Sequence, residues 1–452
     1  MAKRSSTLPI ASIELEPTLP LPIYRQLYDQ LRQAILTGRL KGGTRLPSTR
    51  LFADELGVAR NTVLNAFEQL LAEGYLYSRI GAGTYVATVL PEELLNAEPP
   101  SDQAGHALRT GRRLSQRGRQ LAAAAVEPYL PAERFPAFKL GMPALDSFPF
   151  KLWGQLWAAR WGSTPRELLT YGEAAGYREL REAIAGYLRS ARAVRCEADQ
   201  VIIVAGTQQG MDLAARLLLD EGDEAWIEDP GYLGAWGALA SAGARPCPVP
   251  VDSEGLNVEA GMASCPGARL AYVSPSHQHP LGVTMSLRRR LALLDWASRN
   301  GAWIIEDDYD SEYRYSGRPL ATLQGLDRDG RVIYIGTFSK VLFPGLRLAY
   351  LVVPPDMVDP FVAARTYADR ASPLQEQAVL ADFIQDGHFA RHIRRMRELY
   401  GERQGLLVET VKVQMAGLLD VTPSPAGMHL VGWLPEGSDD LEASRRALAF
   451  GV

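Results

Sequence analysis

Between Val201 and Ile335 five short apolar runs recur: Val201-Ile202-Ile203-Val204, Ala225-Trp226-Ile227, Leu270-Ala271-Tyr272-Val273, Trp303-Ile304-Ile305 and Val332-Ile333-Tyr334-Ile335. Runs this short and continuously apolar read as strands buried on both faces. Helical patterns such as Gly210 to Leu219 and Leu287 to Asn300 separate them. Strands alternating with helices pack as a mainly parallel sheet covered by helices, an α/β architecture. Sheets of this kind hold ligands at the carboxyl ends of their strands, so the residues that follow each run carry the functional argument.

After Val204 comes Ala205-Gly206-Thr207-Gln208-Gln209-Gly210, opening a helix whose free N–H groups suit an anion. After Ile227, Glu228-Asp229-Pro230-Gly231-Tyr232 puts an aromatic where it can stack on a flat ring. After Ile305, Glu306-Asp307-Asp308-Tyr309-Asp310-Ser311-Glu312 supplies a carboxylate for a ring nitrogen and a phenol for a ring hydroxyl. After Ile335 and Gly336 comes Thr337-Phe338-Ser339-Lys340, with Arg347 just ahead of a further apolar run, Leu348 to Val353. A lysine in such a turn either snorkels to water or, when desolvated, offers a neutral amine to an aldehyde. Thr337, Ser339 and Arg347 are suited to a phosphate. Capping and loop chemistry would account for any one of these residues. Together they supply the groups that bind pyridoxal 5'-phosphate: amine, phosphate clamp, ring stacker, pyridinium partner and phenolate partner.

The first hundred residues have a different character. Ile23, Leu27, Leu31 and Ile35 follow helical spacing, and Gly38 ends the pattern. Ser48 is placed as the N-cap of a short helix through Leu56, closed by Gly57. A second helix follows from Val58-Ala59-Arg60-Asn61, with Val63, Phe67 and Leu70 on its apolar face. Tyr75 to Arg79, Gly81-Ala82-Gly83 and Thr84-Tyr85-Val86 read as two strands around a glycine turn. Two helices joined at a glycine and followed by a hairpin predict a winged helix-turn-helix. Residues 1 to 87 carry ten basic against seven acidic side chains, whereas the whole chain has a net charge of −4. A basic module on an acidic protein is the footprint of a local DNA-reading surface.

At 452 residues the chain calls for two or three domains. The predicted division is 20–88 for the DNA-binding domain, 89–136 for a linker and 137–452 for the large domain. The linker is punctuated by Pro91, Pro99, Pro100, Pro128, Pro131 and Pro136 and carries a basic run, Arg109, Arg112, Arg113, Arg117 and Arg119. Three widely spaced cysteines, Cys196, Cys247 and Cys265, argue against a disulfide framework. No apolar run reaches signal-peptide or membrane-spanning length, so a cytoplasmic location is expected.

The amino-terminal residues resemble a known family. Thr44-Arg45-Leu46-Pro47-Ser48-Thr49-Arg50, Leu56-Gly57-Val58-Ala59-Arg60-Asn61-Thr62-Val63, Gly74-Tyr75 and Gly81-Ala82-Gly83-Thr84-Tyr85-Val86 look like the GntR-type winged helix-turn-helix. That resemblance implies that Arg45, Ser48, Thr49 and Arg50 meet DNA at the entry to the second helix. It puts Arg60, Asn61, Thr62 and Asn65 on the recognition helix and Arg79, Gly81 and Gly83 on the wing. Ala59 departs from the family, which often carries a capping Ser there.

The large domain resembles fold-type I aminotransferases through the segments above together with Ser274-Pro275-Ser276-His277-Gln278-His279-Pro280-Leu281-Gly282. Joined to a GntR-type module, it is similar to the MocR subfamily of transcriptional regulators. The resemblance implies that Lys340 forms an aldimine with pyridoxal phosphate, Asp307 pairs with the pyridine nitrogen and Tyr309 contacts the ring hydroxyl. Tyr232 would stack on the ring, and Thr207, Gln208, Thr337 and Arg347 would hold the phosphate. Tyr171, in Thr170-Tyr171-Gly172-Glu173, would reach across a head-to-tail dimer to the partner's cofactor, and the dimer would read a two-part operator on double-stranded DNA. His279 stands where aminotransferases usually carry Asn. The family also has a further strand with an arginine for the substrate carboxylate. No residue here matches it, because Arg445 and Arg446 lie on the preceding helix, so the large domain is expected to be shortened at its carboxyl end. The expected function is a regulator that senses an amino compound or pyridoxal phosphate itself, with little or no turnover. The alternative is an aminotransferase with an accessory DNA-binding domain.

Overall fold

Residues 13–79, 81–91, 113–123, 140–163, 165–317 and 321–451 are described by the computed structural model. The chain divides into two units, Met1–Arg112 and Arg113–Val452.

In the first unit, helices α1 (Ile23–Leu36), α2 (Thr49–Leu56) and α3 (Arg60–Ala72) precede a hairpin of β1 (Leu76–Arg79) and β2 (Gly83–Val86). The helical spacing on α1 works as its periodicity predicts: Leu27, Leu31 and Ile35 pack with Phe52, Val63, Phe67, Leu70 and Val86 in one core. The Ser48 hydroxyl accepts the Leu51 N–H at 3.3 Å, and Gly57 ends α2 in the left-handed region at φ 66°. At the start of α3 Ala59 makes no side-chain cap. The hairpin is antiparallel, with Leu76 opposite Val86 and Arg79 opposite Gly83. A helix-turn-helix with a wing is therefore present.

In the second unit the eight-stranded sheet uses β3 (Val201–Val204), β4 (Glu224–Asp229), β5 (Arg245–Asp252), β6 (Gly255–Leu256), β7 (Leu270–Val273), β8 (Trp303–Asp308), β9 (Val332–Thr337) and β10 (Ala349–Val352). Their spatial order is β3-β10-β9-β8-β7-β4-β5-β6. β5, β4, β7, β8 and β9 run parallel, while β10 lies antiparallel between β9 and β3. The two-residue period of a strand divides the core: Val201 and Ile203 face one helical layer with Phe383 and Phe389, whereas Ile202 and Val204 face the other with Met211. Each apolar run predicted above is a strand.

β5 was not predicted, because Pro246, Pro248 and Pro250 argue against a strand. The prolines share one parity, so the missing N–H groups all fall on the side away from β4. There only the two-residue β6 pairs, while Cys247 and Val249 turn inward.

Much of the expected linker, including Arg109 and Arg112, lies outside the described residues. Its described part contains the helix Gln116–Ala123, in the second unit, alongside the helix Leu233–Ser241. Near the carboxyl end β11 (Asp420–Val421) pairs with β12 (Gly432–Trp433), followed by the helix Asp440–Ala449, whose N-cap Asp439 accepts the Glu442 N–H. Among the described residues no helix is long and apolar enough to cross a membrane.

Candidate cofactor site and nucleic-acid interface

Asp307 lies at the carboxyl end of β8, 5% exposed. Its Oδ2 accepts the Tyr272 hydroxyl at 2.7 Å, while its Oδ1, also buried, has no hydrogen-bond partner. Burial pushes the carboxyl up to about 7, against the opposing effects of the Tyr272 bond and the Lys340 charge. Asp308, the next residue, turns to the other face of the sheet and pairs with Arg192 and Tyr334. Burial opposes its charge, but the Arg192 guanidinium and the Tyr334 hydroxyl outweigh that and hold its carboxyl below the usual range.

Lys340 follows β9, and its Nζ donates to the Gly141 carbonyl at 3.0 Å. Thr337 ends β9, and its Oγ1 accepts the Ser339 N–H at 3.2 Å. Arg347 sits in the left-handed region at φ 52°. Its guanidinium lies over Gly206, where a Cβ would stand 3.0 Å from the nearest Nη. Gly206 itself has φ 155°, a backbone conformation that side chains rarely adopt, and a Cβ there would press on the guanidinium. The helix Thr207–Leu218 begins immediately after it and has no side-chain cap. Its first N–H groups and Arg347 therefore form a cradle suited to a phosphate.

Gln208 ties this cradle to the next loop by donating to the Gly234 carbonyl at 2.9 Å. Tyr232, at the start of that loop's helix, is half-buried, and its ring meets His279 edge-on with centroids 5.9 Å apart. His279 in turn meets Tyr309 edge-on at 6.3 Å. Burial, and then the nearby Asp310 and Asp307 carboxylates, push the Tyr309 phenol well above its usual range. Its hydroxyl lies 3.2 Å from His277 Nδ1, which is also 2.9 Å from Asp310 Oδ2. Tyr171 is not joined to this set: it is 76% exposed, with the Arg370 guanidinium 4.7 Å above its ring.

These residues fit pyridoxal phosphate. The unpartnered Asp307 oxygen suits a protonated ring nitrogen, the uncapped helix and Arg347 suit a phosphate, and Lys340 is the amine. His279 supplies an edge-on aromatic where an amide is usual.

In the first unit, Asn61 and Asn65 stand one turn apart on the exposed face of α3, with Thr62 half-buried beside them. Arg60, also exposed, reaches back to the Thr49 hydroxyl at 3.5 Å. Ser48 and Arg50 are exposed at the start of α2. On the wing the Arg79 guanidinium lies over Tyr77 and Tyr85, 5.4 and 5.5 Å from their centroids. Arg45 bridges Tyr85 through its backbone and lies close over Gly83, while Gly81 and Gly83 take φ 74° and 111°.

Comparison with known proteins agrees with both units. The pattern of the bacterial regulatory proteins of the gntR family matches residues 23–86, and that of aminotransferase classes I and II matches residues 158–449. A probable rhizopine catabolism regulatory protein, MocR of Rhizobium meliloti, is 45% identical over 97% of this chain and 87% of its own length. The chain belongs to the MocR subfamily of GntR-type transcriptional regulators. The pyridoxine biosynthesis regulator PdxR of Corynebacterium glutamicum is 32% identical to this MocR-type chain, over 89% of it and 81% of the relative. Among solved structures, a Pyrococcus horikoshii kynurenine aminotransferase is 30% identical, with a TM-score of 0.64 over 69% of this chain and 79% of that one.

Several residues at the site of this MocR-type regulator escaped the sequence reading. Tyr272 was legible only as part of an apolar strand. The signal was its hydroxyl, because a buried Tyr needs a partner, and strand pairing sets Tyr272 beside Ile305, two residues from Asp307 on the same face. The buried His277 and Asp310 and the half-buried His429 form a further group beside Tyr309, the two imidazole centroids being 4.4 Å apart. Gly141 meets Lys340 across 199 residues of chain, and no local pattern announces that contact.

Proposed function

We propose that this regulator binds pyridoxal phosphate at Lys340 and senses either that compound or an amino compound that competes for it. The observation that carries the reading is the buried, unpartnered oxygen of Asp307, in a pocket whose Lys340 charge acts on it. Bound there, pyridoxal phosphate supplies an aldehyde carbon that exchanges between one amine and another. Asp307 holds the ring nitrogen protonated, and Tyr272 keeps Asp307 in place. Tyr309 orients the ring hydroxyl, and Tyr232 covers the ring. Thr207, Gln208, Thr337 and Arg347 bind the phosphate. Tyr171 completes the pocket of the partner subunit in a head-to-tail dimer.

The winged helix, residues 20–88, gives the output. Arg45, Ser48, Thr49, Arg50, Arg60, Asn61, Thr62, Asn65, Arg79, Gly81 and Gly83 contact operator phosphates and base edges. An effector changes operator affinity only by binding one state of the dimer better than the other. The protein works in the cytoplasm, where the 89–136 segment links its two domains.

Adding pyridoxal phosphate to the purified chain should produce the visible absorption of a lysine-bound cofactor, and Lys340→Ala should lack it. Operator binding with and without candidate amino compounds then tests the sensing. A second reading, aminotransferase activity, is favoured by the 30% identity to a kynurenine aminotransferase. Steady conversion of an amino donor and a keto acid, abolished in Lys340→Ala, would establish it and displace a purely regulatory role.

A further inference from the structure

The three cysteines have different surroundings. Cys196 is buried near Arg189 and Glu197. Cys247 and Cys265, by contrast, bring their thiols close enough to interact directly. With Glu224 they form a group whose donor atoms all lie within 4.8 Å of one another. Three separate elements supply it: Glu224 opens β4, Cys247 lies on β5, and Cys265 ends the helix Val258–Ser264. Parallel pairing sets Glu224 opposite Arg245 and Trp226 opposite Cys247, so Glu224 and Cys247 face the same side of the sheet. Cys247 is 6% exposed, whereas Cys265 and Glu224 are half-buried and leave the group open to solvent on their side.

The backbone holds these donors firmly. Cys247 stands between Pro246 and Pro248, whose rings fix their own φ and keep the residue between them extended. The Cys265 N–H donates to the Gly261 carbonyl at 2.8 Å, and the Cys265 carbonyl accepts the Trp226 indole N–H at 2.9 Å. Trp226 is itself fixed, stacked on Trp296 with centroids 3.9 Å apart and packed against Gly261, where a Cβ would come within 2.9 Å of the indole. The charges point to a cation. Burial, then the Cys265 thiol and the Glu224 carboxylate, push the Cys247 thiol up to about 12, against the opposing Arg245 charge. Apart from burial, the raising effects express a crowding of negative charge, which a cation placed among the donors relieves. Arg245 relieves it only in part: its guanidinium lies 3.5 Å from Glu224, on a side chain 70% exposed, where an ion pair is worth little. The Cys247 thiol otherwise points at the Arg245 carbonyl at 3.7 Å, a weak hydrogen bond.

We propose that Cys247, Cys265 and Glu224 bind a thiophilic divalent cation of the zinc class, with water as the fourth ligand. Two thiolates and a carboxylate select such an ion over magnesium or calcium, which take oxygen donors alone. Zn–S bonds of about 2.3 Å and Zn–O bonds of about 2.0–2.2 Å set tetrahedral donors about 3.5–3.8 Å apart, so the group draws in from within 4.8 Å by at most about 1 Å. Rotation of the half-buried Glu224 and Cys265 side chains supplies that movement while Cys247 stays in place. Both thiol protons leave to solvent as the ion binds. Two thiolates, one carboxylate and one divalent ion leave a single negative charge, and Arg245 stands where it can answer it. The ion ties β4, β5 and the Cys265 turn together. Because β4 leads on to Tyr232, occupancy also braces the strand that carries the ring-covering residue.

The test is titration of Cd2+, an optical stand-in for zinc, into the reduced, tag-free, full-length chain, followed by the ultraviolet absorption of thiolate bound to metal. The expected result is a band that saturates at one ion per chain and is displaced by Zn2+ but not by Mg2+. Cys265→Ser should remove about half of the band and weaken binding by about tenfold or more, since even an outer partner of a metal site is worth about that much. Cys247→Ser acts in the same direction, and the half-buried Cys265 position serves if the buried one does not fold. Glu224→Gln should weaken binding while leaving the full band, because both thiolates remain. Cys196→Ser should bind as wild type does. The proposal is overturned if wild type gives no saturable band, if both Cys265→Ser and Cys247→Ser bind as wild type does, or if Cys196→Ser abolishes the band.

Discussion

Replacing Asp307 by Asn should make the cofactor-free regulator more stable at alkaline pH, although it removes a residue of the binding site. Burial raises the Asp307 carboxyl from 3.8 to about 7, so the folded chain holds a proton that the unfolded chain has released. The sign follows: this contribution is fully present below the unfolded pKa and is lost as pH rises through about 7. A shift of about three units at about 1.4 kcal/mol each amounts to about 4 kcal/mol, lost between pH 4 and 7. Asn carries no charge at any pH and avoids that loss. The variant should therefore match wild type near pH 4 and exceed it by about 4 kcal/mol at pH 8. Glu306 and Glu312 are raised in the same way and tilt both chains alike, whereas Glu228 is raised in part by the Asp307 charge, so the difference between the chains reads Asp307 together with its effect on Glu228. Urea unfolding followed by tryptophan fluorescence is the assay. All eight tryptophans lie beyond residue 150, so the signal reports the second unit alone. Loading with pyridoxal phosphate should reverse the order, since Asp307 then has a cationic partner and Asn does not. Parallel stability curves for the two cofactor-free chains from pH 5 to 8.5 would refute the reasoning, because they would mean that Asp307 stays ionised in its pocket.

Tyr272→Phe, which removes the 2.7 Å bond to Asp307, should raise that carboxyl further and weaken pyridoxal phosphate binding by about tenfold, measured by absorbance titration. Operator binding should weaken steeply with salt and be lost in Arg60→Ala, and an unchanged operator affinity in a gel-shift series would count against the assigned recognition helix. Ser48→Ala should cost the winged helix roughly 0.5–2 kcal/mol, read as a lower unfolding temperature of that unit. Gly427→Ala should destabilise the second unit by about 1–3 kcal/mol, since Gly427 takes φ 88° and its Cβ would overlap the His277 ring. Histidine NMR signals would show whether the His277–Asp310 contact goes with it.

The fold was legible wherever local chemistry and tertiary packing agree. The apolar runs at Val201, Leu270 and Val332 are strands because nothing in them resists burial, and Ser48 with Gly57 brackets α2 as capping chemistry requires. β5 was illegible because its three prolines carry a penalty that depends on which neighbour needs their N–H groups. That is a property of the sheet's edge and not of the strand. Lys340, Asp307 and Arg347 could be read because each follows a strand. Their supports could not: Tyr272 depends on register between β7 and β8, and Gly141 on a contact across the whole unit.

The geometry around Tyr309 limits how strongly a ligand there can be felt elsewhere. His277 Nδ1 lies within hydrogen-bond reach of both Tyr309 and Asp310, yet one nitrogen carries one proton or one lone pair and serves a single partner fully. A ligand that engages the Tyr309 hydroxyl therefore frees His277 for Asp310, whose Oδ2 also accepts the Met428 N–H at 3.0 Å. Met428 belongs to a segment fastened to the same loops: the Gly427 N–H donates to the Tyr313 carbonyl at 2.7 Å, and His429 Nε2 lies 2.9 Å from the Pro280 carbonyl. The path from the ring position to this segment thus runs through single hydrogen bonds, each worth about 1 kcal/mol net. Coupling carried by that path alone amounts to about fivefold in an equilibrium constant. An effector that changes operator affinity by much more than that must also act elsewhere in the fold, where many contacts change together.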